Sequence, residues 1–439
     1  MPVNSPQPHR IQKIAIVGLG YVGLPLSLQF ARSGVIVVGL EVDPAKVAAI
    51  NSGQSYIHHI GAQAVADQVA SGKFTATTDF SRVREVQAII ICVPTPLNKN
   101  REPDISCIIQ AGQAIAQHLQ PGQLVVLEST TYPGTTDGEL RTVLEKHSGL
   151  RAGTDFHLAF SPEREDPGNP DSVVSQIPKV VGGLTPACLA LTCELYGQAL
   201  KTLVPVSSCR AAEATKLLEN IFRSVNIALV NELKVVYGAM DIDVWEVIAA
   251  AKTKPFGFMP FYPGPGLGGH CIPIDPFYLA WKAREFGQST RFIELAGEIN
   301  TVMPEWVVNR VAEALNSRQK AIHGSRILIL GLAYKANVDD DRESPSYVLM
   351  QKLHQRGALV AYHDPYVPMI ESARQQGVWT GTRSVDWTRE VIAAFDLVLV
   401  STAHSKVNYQ ELLEWSPLIV DTRNITAGLP ATPGQVWKA

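Results

Sequence analysis

Cysteine and charge are both scarce in this sequence, and each shortage excludes a class of protein. The six cysteines form no Cys-x-x-Cys pair and no Cys/His array, so neither a disulfide framework nor a metal site is indicated. Only 18% of the residues are charged and the net charge is −3, which argues against a nucleic-acid partner. Free thiols are typical of a reducing compartment, so we expect a cytoplasmic protein.

An uninterrupted apolar segment of membrane-spanning length is missing as well. Residues 14–31 carry no charge, but Gly18, Gly20, Gly23 and Pro25 interrupt them. Such residues are typical of turns, and the first part of the segment is a short β-branched run. We therefore interpret it as strand, turn and helix, and we expect no membrane partner.

The 439 residues are enough for about three domains of roughly 150 residues each. Near both ends of the chain, short apolar runs alternate with helical stretches, which is typical of parallel strands buried on both faces. The sequence predicts an α/β fold in which two Rossmann-like doubly wound domains, residues 1–205 and 319–439, are joined by a helical domain, residues 206–318. The predicted strands are residues 13–18, 35–40, 88–93, 124–128, 157–161, 179–182, 326–330, 359–363, 396–401 and 418–421.

The middle of the chain differs in composition and in the spacing of its apolar residues. Residues 207–240 contain no proline, and their apolar residues follow helical spacing. Ser207 or Ser208 can cap such a helix, and Gly238 lies near its end. At 1.5 Å per residue the helix would span about 50 Å, so we interpret it as a long connecting helix that carries a homodimer interface. Two shorter helices broken near Asn226 are the alternative.

A glycine motif directly follows the first predicted strand. It reads Gly18-Leu19-Gly20-Tyr21-Val22-Gly23 and opens a predicted helix. In that context the glycines permit a tight turn, backbone approach to a pyrophosphate, and close packing of helix on strand. Glu41 ends the next strand, where an acid accepts hydrogen bonds from the adenosine ribose and repels a 2′-phosphate. This favours NAD over NADP, with a structural turn or a bound flavin as the alternative.

Two polar loops also follow predicted strands. They are Val93-Pro94-Thr95-Pro96 and the stretch from Glu128 to Gly134, which includes Ser129 and Thr130. The carboxyl edge of an open α/β sheet binds ligands, so these hydroxyl groups can position ribose or substrate. Turn chemistry alone would also explain the prolines and the glycine.

A glycine-rich stretch leads to a thiol and a carboxylate. Cys271 and Asp275 follow Gly266-Leu267-Gly268-Gly269, which leaves room for a substrate carbon beside the sulfur. A small buried residue is the ordinary alternative for a cysteine. Lys216 and Asn220 lie one turn apart on the long helix and can bind a developing oxyanion.

Glu163 is a candidate general base, because it lies just past the end of a predicted strand. Its neighbours are also acidic, so a solvated acidic turn is the alternative interpretation.

Taken together, these motifs resemble the UDP-glucose/GDP-mannose dehydrogenase family over nearly the whole chain. The matching blocks are residues 18–23, 129–136, 161–168, 212–220, 266–275 and 331–346, in the family's order. The resemblance implies a four-electron oxidation of a sugar C6 hydroxyl to a carboxylate with two NAD+. It also implies that the product is used for surface polysaccharides.

The resemblance further implies a covalent mechanism. Cys271 would be the nucleophile, forming a thiohemiacetal and then a thioester, with Asp275 as its acid/base partner. Lys216 and Asn220 would stabilise the oxyanion.

Residues for hydrolysis and substrate binding are implied in the same way. Glu163 would be the base for thioester hydrolysis, and Thr130 would position the water. Lys335 and Arg342 match residues that contact the nucleotide, and basic groups suit a diphosphate. Without the resemblance they would be interpreted as solvated surface charges. Phe261, before the loop that contains Gly268, is expected near the uridine or the sugar, or else in a core.

The sugar itself is suggested by departures from the family's UDP-glucose branch. Ile274 stands where that branch usually has lysine, and Pro167 replaces its second glutamate. Residues 93–96, 252–258 and 271–279 resemble the N-acetylhexosamine branch. We expect UDP-N-acetylglucosamine, while UDP-N-acetylmannosamine, UDP-N-acetylgalactosamine and UDP-glucose stay open because a motif does not report one epimeric hydroxyl.

Two other functions compete with this interpretation. A two-electron Rossmann dehydrogenase would not need Cys271 or a third nucleotide-binding domain. A non-catalytic nucleotide-sugar sensor would keep the glycine motif and Arg342, but it could lose Cys271 and Lys216.

Overall fold

A computed structural model describes residues 10–57, 60–98, 102–164, 176–269, 272–371 and 377–439. Its contacts divide the chain into two compact units. The first unit is Met1–Glu219 with Phe277–Gln288, and the second is Asn220–Pro276 with Ser289–Ala439. The three-domain division at residues 205 and 318 stays a prediction.

The first unit contains an eight-stranded sheet with the order β3-β2-β1-β4-β5-β6-β7-β8. All neighbouring strands are parallel except β6 and β7. The strand order reverses between β1 and β4, and the carboxyl ends of the strands at such a point form a crevice. The strands are β1 Lys13–Val17, β2 Ile36–Leu40, β3 Phe74–Thr77, β4 Ala88–Ile91, β5 Leu124–Leu127, β6 His157–Phe160, β7 Lys179–Gly183 and β8 Leu203–Val206.

The second unit contains a five-stranded parallel sheet with the order β10-β9-β11-β12-β13. Here the strand order reverses between β9 and β11. The strands are β9 Arg326–Leu330, β10 Leu359–His363, β11 Leu397–Val400, β12 Ile419–Asp421 and β13 Val436–Lys438. The predicted fold class is confirmed: one mostly parallel and one parallel Rossmann-like sheet, with a helical region between them in the sequence.

Both sheets are buried on their two faces, which explains the continuous apolar runs. In β1, Ile14 and Ile16 belong to one core cluster, whereas Ala15 and Val17 belong to another. The alternate residues of β9 divide between two clusters in the same way. Successive side chains of a strand point to opposite faces, so each face is packed against helices.

The helices alternate with the strands in both sheets. In the first unit they are α1 Gly23–Arg32, α2 Pro44–Asn51, α3 Ala62–Ala70, α4 Ser106–Ala116, α5 Arg141–Ser148 and α6 Pro186–Gly197. The segment between the sheets provides α7 Cys209–Ala239, α8 Val244–Ala251, α9 Asp275–Glu285 and α10 Arg291–Asn316. The C-terminal sheet adds α11 Pro345–Gln355, α12 Arg389–Ala393 and α13 Tyr409–Trp415.

The long helix predicted between residues 207 and 240 is present as one element. Helix α7 runs for 31 residues without a break, so the alternative of two helices divided near Asn226 is wrong. At 1.5 Å per residue its length is about 46 Å. The Ser208 hydroxyl accepts a hydrogen bond from the Ala211 N–H at 3.2 Å, which is the bond of an N-terminal cap.

Three strands were not predicted from the sequence, and all three lie at sheet edges. These are β3, β8 and β13. None of them is buried along its whole length, and Pro205 interrupts the apolar pattern of β8. Edge strands need a buried side chain only at alternate positions and they tolerate proline, so these three lack a continuous apolar run. The fourth edge strand, β10, was predicted because its residues 359–362 are all apolar.

Candidate active site

The glycine motif after β1 adopts the turn that its sequence predicts. Gly18 has φ +87°, and a Cβ there would lie 2.8 Å from the carbonyl oxygen of Cys92. A Cβ on Gly23 would lie 1.8 Å from the Gly18 oxygen, so helix α1 packs directly on the turn. By contrast, a Cβ on Gly20 would meet nothing within 4 Å. The turn therefore leaves open space in front of Gly20, which fits the approach of a dinucleotide pyrophosphate.

Glu41 lies at the end of β2 and is only 7% exposed. One of its carboxylate oxygens accepts a hydrogen bond from the Leu19 N–H at 3.0 Å, and the other accepts from Val42 at 2.9 Å and Asp43 at 3.2 Å. These bonds hold the carboxylate beside the glycine turn. Each oxygen of an ionised carboxylate has two acceptor positions, so capacity remains for a ribose hydroxyl. Its role toward a ribose stays a prediction.

The two polar loops are joined to each other at the carboxyl edge of the first sheet. Ser129 is buried, and its hydroxyl donates to the carbonyl of Val93 at 2.7 Å. Thr95 is also buried, and its carbonyl accepts a hydrogen bond from the Tyr278 hydroxyl. Pro94 is exposed, while Thr130, Tyr21 and Val22 are partly exposed. The structure thus brings the predicted cofactor residues to one edge of the sheet.

A buried carboxylate that the sequence analysis did not single out holds the second of these loops. Glu213, on the first turns of α7, is fully buried. It accepts hydrogen bonds from the Gly134 N–H at 2.7 Å, the Thr136 N–H at 2.9 Å and the Thr136 hydroxyl at 2.7 Å. Burial raises the pKa of Glu213 from its ordinary value to about 7. Glu213 therefore holds the backbone at the far end of the loop that contains Thr130.

Lys216 and Glu163 form a pair within the first unit. The Lys216 ammonium donates to the Glu163 carbonyl at 2.5 Å and lies 3.3 Å from its carboxylate. Lys216 is only 5% exposed, so its cation is held largely away from water. A buried ammonium beside a carboxylate can serve a developing oxyanion and a general base within one small region.

Asn220 and Asp275 form a second pair, in the second unit. Both side chains are buried, and the Asn220 amide nitrogen donates to the Asp275 carboxylate. The Arg223 guanidinium donates to the oxygen of the same amide, so the Asn220 nitrogen must point toward Asp275. Arg223 was not predicted from the sequence as a site residue. Asn220 and Lys216 lie four residues apart on the continuous helix α7.

The glycine-rich loop packs against the block that begins at Gly331. A Cβ on Gly268 would lie 2.8 Å from Pro345 and from Tyr334, and one on Gly269 would lie 2.8 Å from the Tyr334 ring. These contacts explain the glycines, because no larger residue fits there. Cys271, the predicted nucleophile, lies outside the described residues, as does Pro167.

The backbone just before the glycine-rich loop is held by hydrogen bonds to buried polar groups of α7. The Gly264 N–H donates to the Asn231 amide oxygen at 3.0 Å, and the Lys234 ammonium donates to the Gly264 carbonyl at 3.1 Å. Burial, with Arg423 nearby, lowers the pKa of Lys234 to about 7. A single turn of α7 therefore holds both the N–H and the carbonyl of Gly264, two residues before the glycine-rich stretch.

The predicted nucleotide residues lie in the described part of the second unit. Lys335 is partly exposed. Arg342 is bound by Asp340, with its Nε at 2.8 Å and its Nη2 at 2.6 Å from the two carboxylate oxygens. Phe261 packs edge-on against Phe222 of α7, with ring centroids 5.6 Å apart. The roles of these residues toward a substrate stay predictions.

Two further observations concern other classes of site. Within the described residues, no three His, Cys, Asp or Glu side chains are grouped so that they could bind a metal ion. The helices in that same part of the chain include none with the length and apolar character needed to cross a membrane.

Comparison with known proteins assigns a family to most of the chain. Three models of the UDP-glucose/GDP-mannose dehydrogenase family match the chain in succession. The NAD binding domain matches residues 12–200, the central domain 210–302 and the UDP binding domain 328–428.

Individual relatives cover almost the whole chain. UDP-N-acetyl-D-glucosamine 6-dehydrogenase of Pseudomonas aeruginosa is 35% identical over 90% of this chain and 91% of its own length. UDP-N-acetyl-D-mannosamine dehydrogenase of Escherichia coli K12 is 34% identical over 90% of this chain and 94% of its own. A solved UDP-D-ManNAc dehydrogenase from Pyrococcus horikoshii superposes with a TM-score of 0.88 at 32% identity, covering 97% of this chain and 99% of that one.

Proposed function

Because the chain belongs to the UDP-glucose/GDP-mannose dehydrogenase family and is an NAD-dependent UDP-sugar dehydrogenase, we propose that it oxidises the C6 hydroxyl of UDP-N-acetylglucosamine to a carboxylate. The observation that best supports catalysis is the pair of buried contacts at the predicted catalytic residues, Lys216 with Glu163 and Asn220 with Asp275. Desolvating charged and amide groups is costly, and paired ionisable groups held largely away from water are typical of functional sites.

The first unit would hold the cofactor at the turn of Gly18, Gly20 and Gly23. Backbone N–H groups at the start of α1 would face the pyrophosphate, and Glu41 would bind the ribose. When bound, NAD+ accepts a hydride from C6, and two molecules are consumed for each sugar. The loops with Thr95 and Ser129 would close the carboxyl edge of the sheet around it.

The thiol of Cys271 would make the second oxidation possible. Its sulfur would add to the C6 aldehyde, whose oxygen would become the alkoxide of a thiohemiacetal. Loss of the second hydride to the second NAD+ would leave a thioester. The Lys216 ammonium and the Asn220 amide N–H would donate to that oxygen. Arg223 supports this role, because it fixes the amide with its nitrogen toward Asp275; one N–H bonds that carboxylate, and the other would donate to the alkoxide.

Proton transfers would fall to the two carboxylates. Asp275 would accept the proton of the C6 alcohol, release it to solvent, and then accept the proton of the Cys271 thiol. Glu163 would take a proton from the water that attacks the thioester, which releases the carboxylate and regenerates the thiol. The partly exposed hydroxyl of Thr130 would orient that water.

The choice of sugar rests on the sequence and on the relatives. The Pseudomonas aeruginosa relative is named for UDP-N-acetylglucosamine, but others of similar identity are named for N-acetylmannosamine and N-acetylgalactosamine derivatives. Ile274 and the stretch 161–168 favour the N-acetylhexosamine group over UDP-glucose. Within that group, UDP-N-acetylglucosamine is our proposal. We place the enzyme in the cytoplasm, with its product used for surface polysaccharide.

A homodimer through α7 belongs to the same proposal. In the second unit, Phe222, Leu229 and Val236 follow each other at seven-residue intervals and are 46%, 52% and 45% exposed. Residues seven apart lie on the same face of a helix. Exposed apolar stripes of this kind mark interfaces between proteins, and a second copy of the helix offers a matching stripe.

A panel of UDP-sugars tests the choice of substrate. We expect kcat/KM for UDP-N-acetylglucosamine to exceed that for UDP-N-acetylmannosamine, UDP-N-acetylgalactosamine and UDP-glucose by at least about tenfold. A preference for another sugar of the panel would keep the family chemistry and overturn the substrate assignment.

A further inference from the structure

The second unit repeats the glycine turn of the first unit in an altered form. Gly331-Leu332-Ala333-Tyr334-Lys335-Ala336 follows β9 as Gly18–Gly23 follows β1. Gly331 has φ +90°, and its N–H donates to the His363 carbonyl at 2.9 Å, as the Gly18 N–H does to Leu40 at 2.8 Å. Alanines replace the second and third glycines of the motif. The turn is therefore kept, while its open space is reduced.

An acidic residue follows the second strand of both units, but its contacts differ between them. Asp364 follows β10 as Glu41 follows β2, and it accepts hydrogen bonds from Leu332 at 2.7 Å and Ala333 at 2.9 Å. Its exposed fraction is 2%. Unlike Glu41, this carboxylate also contacts a histidine, since His404 Nε2 lies 2.9 Å from it. The carboxylate is thus bound within the protein instead of facing a ribose.

His404 is fully buried, and both of its ring nitrogens have partners. Nδ1 accepts a hydrogen bond from the Asn337 N–H at 3.0 Å, so this nitrogen carries no proton. Nε2 then carries the hydrogen and donates it to Asp364. The neutral ring joins the carboxylate after β10 to the backbone of the segment after β9.

The Asn337 end of this link is an unusual backbone position. Asn337 has φ +64°, in the left-handed region that residues with a Cβ rarely adopt. Its side-chain oxygen accepts hydrogen bonds from the N–H and the hydroxyl of Ser405, both at 2.9 Å. The residue is therefore held by His404 and Ser405 together, at the carboxyl ends of β9 and β11 where the strand order reverses.

We propose that His404 is a positioning residue for the nucleotide of the UDP-sugar: through Nδ1 it holds the backbone of Asn337, and with it Lys335, in the conformation that binds the diphosphate. The inference rests on the proposed function, in which Lys335 contacts the nucleotide. Lys335 is two residues from the anchored N–H, and the reversal point of an open α/β sheet is where ligands bind.

Two substitutions distinguish the roles of the two ring nitrogens of His404. The amide oxygen of His404→Asn can take the place of Nδ1 and still accept from Asn337, but it cannot reach Asp364. The amide of His404→Gln can replace Nε2 as a donor to Asp364, but it leaves the Asn337 N–H without its acceptor. His363→Gln is the matched control, because that ring binds only the Val385 carbonyl at 2.7 Å among the hydrogen bonds of the described residues.

UDP and NAD+ binding to the full-length variants, measured by calorimetry, tests the proposal. We expect His404→Gln to raise the Kd for UDP about tenfold, and His404→Asn to raise it about threefold or less. The Kd for NAD+ should stay within about twofold in all variants, and the His363→Gln control should match the wild type.

Equal effects of the two His404 substitutions on UDP affinity, or no effect of either, would overturn the positioning role. Unfolding of both variants, seen as a parallel loss of UDP and NAD+ affinity, would also overturn the positioning role, because it would indicate a purely structural histidine. Failure of the wild type to bind UDP would instead refute the proposed function on which the inference rests.

Discussion

Two glycines of the same turn should respond in opposite ways to alanine. A Cβ at Gly20 enters open space, and its φ lies outside the left-handed region, so the protein itself accommodates the methyl group. A Cβ at Gly23 would lie 1.8 Å from the backbone oxygen of Gly18, far inside van der Waals contact. Because this oxygen belongs to the backbone, the steric clash can be relieved only if α1 moves away from the turn.

The magnitudes follow from those distances. Overpacking against backbone costs about 3 kcal/mol, so Gly23→Ala should lower the melting temperature of the first unit by about 5–10 °C. Gly20→Ala should change stability by less than about 0.5 kcal/mol, because the new methyl group touches nothing in the protein. The same methyl group would occupy the space in front of the turn, so the Kd for NAD+ should rise at least about tenfold.

Differential scanning fluorimetry and calorimetric titration with NAD+ and UDP measure these effects. UDP affinity is the internal control, since it should be unchanged in Gly20→Ala. Wild-type NAD+ affinity in Gly20→Ala would refute the assignment of the dinucleotide site. Wild-type stability in Gly23→Ala would refute the packing argument.

Three further predictions follow from the site. Cys271→Ser should abolish steady NADH formation while the Kd values for UDP and NAD+ stay within about twofold, and continued full turnover would disprove covalent catalysis. Because burial raises the pKa of Glu213 from 4.5 to about 7, ionisation destabilises the native state as pH rises between those values. The stability of the wild type relative to Glu213→Gln should therefore fall by up to about 3 kcal/mol from pH 4.5 to 7 and stay constant above it, as urea unfolding at a series of pH values can show. A stability difference between wild type and Glu213→Gln that does not change with pH would contradict the raised pKa of the buried Glu213 carboxylate. Light scattering should give about twice the chain mass of 47.7 kDa for the wild type. Leu229→Glu combined with Val236→Glu should give the monomer mass, whereas an unchanged dimer would place the interface elsewhere.

The sequence predicted the parts of the fold that rest on continuous burial or on local chemistry. The inner strands and α7 were found because burial on two faces and helical spacing leave a clear pattern. The roles of Gly18 and Gly23 could be predicted because a glycine in a turn reports a backbone conformation or a close contact. Edge strands such as β8 were missed, since half-burial leaves too weak a pattern.

The residues that support the candidate site could not be predicted in the same way. Glu213 and Arg223 act through partners that are distant in sequence or through an amide orientation, and neither leaves a motif. One signal was present for Asp364: Gly331–Ala336 repeats the spacing of Gly18–Gly23. Aligning the two turns would have directed attention to Asp364 as the counterpart of Glu41, although not to the histidine that binds it.

The number of NADH molecules formed per sugar tests the central claim most directly. With limiting UDP-N-acetylglucosamine and excess NAD+, we expect two NADH per sugar and a product heavier than the substrate by the change from CH2OH to COOH. One NADH per sugar with an aldehyde product would contradict the four-electron mechanism. No NADH from any UDP-sugar would contradict the assignment as a dehydrogenase of this class.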